Sequence, residues 1–310
     1  REENGRPEEV EAELHPPGRH RAARATQAPD APASDADHNV EYGPDRTEEP
    51  VRRVEGRLVE VRVPLAGNVV GPDQRAAAGN EHFSHFGPDA NLFEELETLF
   101  RQYGNDGSGR IRKYLHNECE AAPYQQEPGT FTPWEDIPAG TDILFYEGLH
   151  GAVKTDKVDV AQHVDLRIGV VPIINLEWIQ KLHRDREQRG YTTEAVTDTI
   201  LRRMPEYVHF ICSQFENTHI NFQRVPMVDT SNPFIARSIP TPEESMVVIR
   251  FANPRGIDFQ YLLAMMGGAF MSRANTIVIP GGKIDLAMQL IFTPLILRLV
   301  ENGRKARARY

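Results

Sequence analysis

"DLRIGVVPIINLEWIQKLHRDREQRG", residues 165–190, decides the fold class. Its first ten residues form a near-continuous apolar run, the text of a strand buried on both faces. From about Leu176 to Arg189 the text turns helical. A buried strand that leads straight into a helix is the repeating unit of an α/β sheet. The alternation continues on both sides. "TDILFYEGLHG" (141–151) is a short apolar run ending in Glu147, and "INFQRVPMVDT" (220–230), "ESMVVIRFA" (244–252) and "ANTIVIPGG" (274–282) are further strand candidates. Residues 89–104 predict a helix, with Leu92, Leu96, Leu99 and Phe100 in one stripe, Asp89 as N-cap and Gly104 as stop. A second helix follows from about Thr193 to Phe210, and a third covers 283–303, before a basic tail over 304–310. The expected architecture is α/β: a mixed sheet with much parallel pairing, flanked by helices, and no internal repeat.

The composition changes near residue 80. Residues 1–80 contain no Ile, Phe, Trp, Met, Cys or Lys, and every basic side chain there is Arg or His. Such text cannot bury enough apolar area to offset the entropy of ordering it. Disorder is therefore the expectation for residues 1–79, apart from "VRRVEGRLVEVRVPL" (51–65), which reads as one exposed or edge strand. The folded domain is expected over 80–303.

Bulk properties exclude several classes. The 310-residue chain carries a formal net charge of -10, which argues against a general nucleic-acid binder. No run approaches the ~18 apolar residues of a membrane helix, and the opening residues are charged and Pro-rich, unlike a secretory leader. Cys119 and Cys212 offer neither a disulfide framework nor zinc spacing. A cytoplasmic protein without membrane or nucleic-acid partners is expected.

Within that acidic chain, "KLHRDREQRG" (181–190) gathers positive charge. On a helix at about 100° per residue, Lys181, Arg184, Asp185 and Arg189 share one face while His183 and Arg186 point away. Two guanidinium forks and an ammonium beside one carboxylate suit a phosphorylated ligand; a solvated, salt-bridged surface is the competing account. Glu147 is an acid at a strand's carboxyl end, the place that holds Mg²⁺ in phosphoryl-transfer sites, or else a turn carboxylate. "RKYLHNE" brings together Arg112, Lys113, Tyr114 and His116, and "TILRRMPEY" adds Arg202 and Arg203. His82 and His85 are spaced as a metal pair, but a loop around two packed Phe side chains suits them better.

Taken together, "HFSHFGPDAN", "FYEGLHGAV", "GVVPIINLEWIQKLHRDREQRGYTTEAVTDTILRRMPEYV", "INFQRVPMVDTSNPFIAR" and "NPRGIDFQYL" resemble the bacterial phosphoribulokinase family over about residues 80–300. The resemblance implies a P-loop-type kinase fold that moves the γ-phosphoryl of ATP, with Mg²⁺, to the 1-hydroxyl of ribulose 5-phosphate. The product, ribulose 1,5-bisphosphate, serves carbon fixation in the Calvin cycle. It implies roles for Lys181, Arg184 and Asp185 at the reacting centre, with Asp185 and Glu147 near the metal. Arg189, Tyr114 and His116 would meet the sugar phosphate, and Glu147 would lie beside Mg-ATP. Arg202, Arg203, Arg250 and Arg273 match basic residues for subunit contacts and effectors. An octamer activated by NADH and inhibited by AMP is implied as well. Neither Cys119 nor Cys212 sits in a phosphate loop, so the thiol switch of the plant form is not expected. "LHRDREQRGY" speaks against a uridine kinase relative.

One departure stands out. The family opens with a strand and a Gly-rich phosphate loop, but residues 1–80 contain no G-x-x-x-x-G-K-[ST]. The family's Glu-Gly-Asp motif, which carries its general base, is replaced by "VEGRLVEVR", with no Asp after Gly56. Out-of-frame translation of GC-rich DNA yields Arg, Pro, Ala and Gly and avoids Lys, Ile, Phe and Met, so residues 1–79 are read as a wrong-frame segment. Two expectations follow: poor catalysis by the chain as written, and an exposed sheet edge where the family's first strand belongs. The alternative function is a catalytically silent sugar-phosphate-binding or regulatory subunit that assembles with an intact kinase.

Overall fold

The computed structural model describes residues 58–62, 84–115 and 117–307. The expectations for the remainder of 1–83, including His82, and those for His116 and the last three residues lie outside the described residues.

The strands are β1 (Leu58–Arg62), β2 (Arg110–Ile111), β3 (Glu135–Asp136), β4 (Ile143–Glu147), β5 (Ile168–Pro172), β6 (Ile220–Pro226), β7 (Ser245–Phe251), β8 (Phe270–Arg273) and β9 (Thr276–Pro280). The α-helices are α1 (Phe93–Asp106), the single-turn α2 (Glu118–Ala121), α3 (Ile174–Arg189), α4 (Thr193–Glu206), α5 (Phe259–Met265) and α6 (Ile284–Arg307). Strand β1, inside the segment read as one edge strand, pairs in parallel with β4, Leu58 opposite Ile143 and Arg62 opposite Glu147. The larger sheet has five strands in the order β5-β6-β7-β9-β8. Only β5–β6 is parallel; the other three pairings are antiparallel. The sheet is mixed as expected, with less parallel pairing than the alternating text suggested. The reason is that no α-helix separates β6 from β7 or β8 from β9: the loop 227–244, with a single 3-10 turn at Pro233–Ile235, joins the first pair, a two-residue turn joins the second, and β8 was not foreseen.

Two apolar cores form. Phe93, Leu96, Leu99 and Phe100 of α1 pack with Ile137, Val153, Val158 and Val160. Phe222, Val247, Ile249, Phe251, Ile277 and Ile279 line the sheet face covered by α5 and α6. Helices α3 and α4 share a smaller cluster of Leu182, Val196 and Ile200 beneath Trp178, Tyr191 and Met204.

Four local expectations are corrected. Helix α1 begins at Phe93, its N-cap Leu92 makes no side-chain cap, and it stops at Gly107 in the left-handed region (φ 76°) rather than at Gly104. Asp89 lies in a preceding turn that Asn91 organises by donating to the carbonyls of His85 and Gly87. The helix predicted over 193–210 ends as an α-helix at Glu206, and a π-turn takes over Tyr207–Ile211. Pro205 removes a helical N–H donor there. Strand β5 is not buried on both faces: Val170, at its centre, is 43% exposed. Among the described residues β5 pairs only with β6, so it is an edge strand. Helix α6 runs on to Arg307, through part of the predicted tail.

Candidate active site

The basic stretch lies in the second half of α3. Asp185 stands eleven residues past Ile174, roughly 16 Å along the helix axis at 1.5 Å per residue. The cluster is therefore carried on the α3–α4 hairpin, well beyond the end of β5. Ring contact between Trp178 and Phe234, centroids 5.6 Å apart, ties α3 to the loop after β6.

Asp185 is the centre of the cluster and only 3% exposed. Its Oδ2 accepts from Lys181 Nζ at 2.6 Å, and its Oδ1 from Arg184 Nε at 3.1 Å and Arg189 Nη1 at 3.2 Å. One buried carboxylate thus gathers three cationic groups that remain partly open to solvent. This is neither of the simple alternatives: the cations share a face as predicted, but they are ordered from below by a buried acid. His183 turns away, its Nε2 3.0 Å from the carbonyl of Ala236 and its Nδ1 3.5 Å from Glu187. Three positive charges meet one negative charge, so the four side chains keep a net charge of +2, a balance suited to phosphate.

Sequence reasoning missed the support beneath Lys181. Glu177, one turn earlier on α3, accepts from the Tyr207 hydroxyl at 2.6 Å. Burial raises the pKa of Glu177, opposed by the Tyr207 hydrogen bond and the charge of Lys181. Tyr207 rests edge-on against Phe86, centroids 5.5 Å apart. Ser84 Oγ donates to Glu206 Oε2 at 2.5 Å, and His150 Nε2 lies 2.9 Å from the carbonyl oxygen of Phe86. The segment 84–91, part of the string that carried the resemblance, is thereby latched to both the β4 loop and the end of α4. Burial pushes the His150 imidazole down to about 4, so it is neutral. The spacing of Glu177 four residues before Lys181 was a usable signal; the partner Tyr207 had none.

Glu147 ends β4 as expected, with an exposed side chain. Tyr114 is buried (5% exposed), bridged to Phe131 with ring centroids 5.1 Å apart. Arg112 stacks over the rings of Phe131 and Trp134 at 4.3 and 4.8 Å.

The family model described as the Phosphoribulokinase / Uridine kinase family matches residues 47–231. The chromosomal phosphoribulokinase of Cupriavidus necator is 71% identical over 228 residues, covering 74% of this chain and 78% of that protein. The phosphoribulokinase of Nitrobacter vulgaris is 69% identical over 74% of this chain and 79% of its own length. This chain belongs to the phosphoribulokinase family. A solved phosphoribulokinase from Rhodobacter spheroides superposes with a TM-score of 0.73 at 56% identity, over 81% of this chain and 90% of that one. The family match takes in residues 47–79 too, a stretch outside the strings that carried the resemblance.

The remaining candidates scatter. Arg203 is buried in α4 (7% exposed) and Arg202 is half-buried beside it. Arg250 on β7 donates to the carbonyl of Phe215 at 3.1 Å, and Arg273 is exposed at the end of β8. Cys119 and Cys212 are both free thiols. Among the described residues no group of three or more His, Cys, Asp or Glu is arranged to hold a metal. Nor is any described helix long and apolar enough to cross a membrane.

Proposed function

We propose that the chain is a phosphoribulokinase, built to transfer the γ-phosphoryl of ATP to ribulose 5-phosphate and form ribulose 1,5-bisphosphate. The observation that carries this reading is the Asp185-centred cationic face in a chain 71% identical to a phosphoribulokinase. Phosphoryl transfer asks little covalent chemistry of a protein; positioning and electrostatics supply the catalysis. In this reading Lys181 and Arg184 stabilise the charge that spreads over the transferring group. Arg189 holds the sugar phosphate, with Tyr114 and His116 on the pocket wall. Asp185 acts as the anchor that keeps three cations from dispersing.

Mg²⁺, when bound with ATP, would supply charge neutralisation for the phosphates, and Glu147 and Asp185 are the residues that would hold it. The exposed carboxylate of Glu147, at a strand's carboxyl end, fits such an ion, which keeps several waters and needs only one or two protein carboxylates. Asp185, whose two oxygens accept from Lys181, Arg184 and Arg189, is the second carboxylate assigned to the neighbourhood of the metal. Arg202, Arg203, Arg250 and Arg273 are the residues we assign to subunit contacts and to an effector such as NADH. An octamer in the cytoplasm completes this reading.

A second reading has its own observation: residues 1–80 contain no G-x-x-x-x-G-K-[ST]. In it, residues 1–79 are a wrong-frame segment, and the chain is a silent subunit that binds the sugar phosphate and assembles with an intact kinase. A coupled assay of ADP formation with Mg-ATP separates the two, run with and without ribulose 5-phosphate and NADH. Sugar-dependent turnover supports the enzyme. Ribulose 5-phosphate binding without ATP binding or turnover supports the silent subunit. Absence of ribulose 5-phosphate binding refutes both.

A further inference from the structure

Three side chains of α3 follow one another at intervals of one turn: Glu177, Lys181 and Asp185. At four-residue spacing they lie in a row on one helix face. Lys181 thus stands between two carboxylates on its own helix. Its ammonium is 2.6 Å from Asp185 Oδ2, and its charge also acts on Glu177. The choice between these neighbours matters, because only the Asp185 side holds Arg184 and Arg189. Moving the ammonium one turn back would carry it roughly 6 Å away from them.

Glu177 is half-buried, and a carboxylate partly withdrawn from water needs hydrogen-bond and charge compensation. The Tyr207 hydroxyl, 2.6 Å from Glu177 Oε2, provides the first. Tyr207 comes from a different element, the π-turn after α4, and its ring is wedged against Phe86. The carboxylate is therefore fixed from outside α3.

We propose that Glu177 and Tyr207 are positioning residues for Lys181: Tyr207 pins the Glu177 carboxylate, and Glu177 steadies the Lys181 ammonium beside Asp185, on the anion-binding face. This rests on the reading of Lys181 as a site residue. Neither Glu177 nor Tyr207 need touch the ligand.

The sign of the effect makes the inference testable. If Glu177 acted only through its charge, removing it would tighten binding of an anion. If it positions Lys181, removing it weakens binding. The full-length chain and its Tyr207→Phe, Glu177→Gln, Lys181→Met, Tyr207→Phe/Lys181→Met and Glu177→Gln/Lys181→Met variants are titrated calorimetrically with ribulose 5-phosphate at fixed salt. Tyr207→Phe and Glu177→Gln are each expected to weaken binding about fivefold, the scale of one ordinary intramolecular hydrogen bond. Neither should have a further effect once Lys181 is Met. Unchanged or tighter binding in both single variants overturns the inference. So do equal losses with and without Lys181, which mark a fold-wide effect. Glu177→Gln keeps the test decisive if Tyr207→Phe does not fold. Undiminished binding by Lys181→Met instead removes Lys181 from the site, and with it the reading on which the inference stands.

Discussion

Lys181 Nζ lies 2.6 Å from Asp185 Oδ2, and Asp185 Oδ1 accepts from two more cations of the same helix. A nearly inaccessible acid that orders three partly exposed cations is costly to disturb, because removing its charge leaves like charges facing each other. We expect Asp185→Asn to lower unfolding stability by about 3 kcal/mol, the scale of a broken buried ion network. Urea denaturation reads this as a lower midpoint at unchanged slope. Ribulose 5-phosphate affinity should fall with it, since the cations lose their common anchor. A midpoint equal to that of the parent would show that the carboxylate charge is dispensable to the fold.

The legible part of this site was the part written on one helix. Lys181, Arg184, Asp185 and Arg189 share a face by their spacing alone, and the structure puts all four in contact through one carboxylate. The supports were illegible because they join distant text. Ser84 meets Glu206 across 122 residues, and His150 meets Phe86 across 64. No periodicity reports such pairs. The sheet shows the same division. Strands β6, β7 and β9 were bounded to within a few residues by their apolar runs. The four residues of β8 carry no alternation, and only pairing with β9 makes them a strand. The burial of β5 was overestimated because its composition cannot reveal which neighbours it has.

Gly281 sits at the junction of β9 and α6, where main chain crosses main chain. A methyl group there would come within 2.2 Å of the Pro242 carbonyl oxygen and 2.8 Å of that of Ser245. Neither oxygen can rotate away. We expect Gly281→Ala to destabilise the protein by about 1–3 kcal/mol, as overpacking does. Gly282→Ala is the control, since its nearest neighbour is the flexible Glu243 carboxylate at 3.4 Å. Thermal melts of the two variants should separate clearly; equal midpoints would count against the steric account.

Val170 is the exposed centre of β5, which pairs on one side only among the described residues. An apolar edge strand is a template for pairing with another chain. A charge at its centre opposes such pairing without touching the core. Val170→Lys is expected to reduce concentration-dependent aggregation in sedimentation velocity while leaving the unfolding midpoint within about 0.5 kcal/mol of the parent. Aggregation that persists unchanged in the lysine variant would locate the sticky surface elsewhere.

His150 couples the fold to pH through the carbonyl of Phe86. The ring is 2% exposed, packs against Phe93 with centroids 4.9 Å apart, and has its imidazole pushed down from the usual 6.5 to about 4 by burial. Between those two values the unfolded chain holds a proton at this ring that the folded chain does not. Stability therefore rises with pH across that window, is complete above about 6.5, and is lost as pH falls toward 4. The full loss is on the order of 3 kcal/mol at 1.36 kcal/mol per pH unit. His150→Gln keeps an N–H donor for the Phe86 carbonyl but cannot take up the proton. Its stability should be lower than the parent's at pH 7, because the ring packing is lost, yet flatter from pH 6.5 to 4.5. Urea midpoints at four or five pH values check this. Parallel pH profiles for parent and variant would mean that another group carries the acid sensitivity, and that the 84–91 latch does not open by protonation of His150.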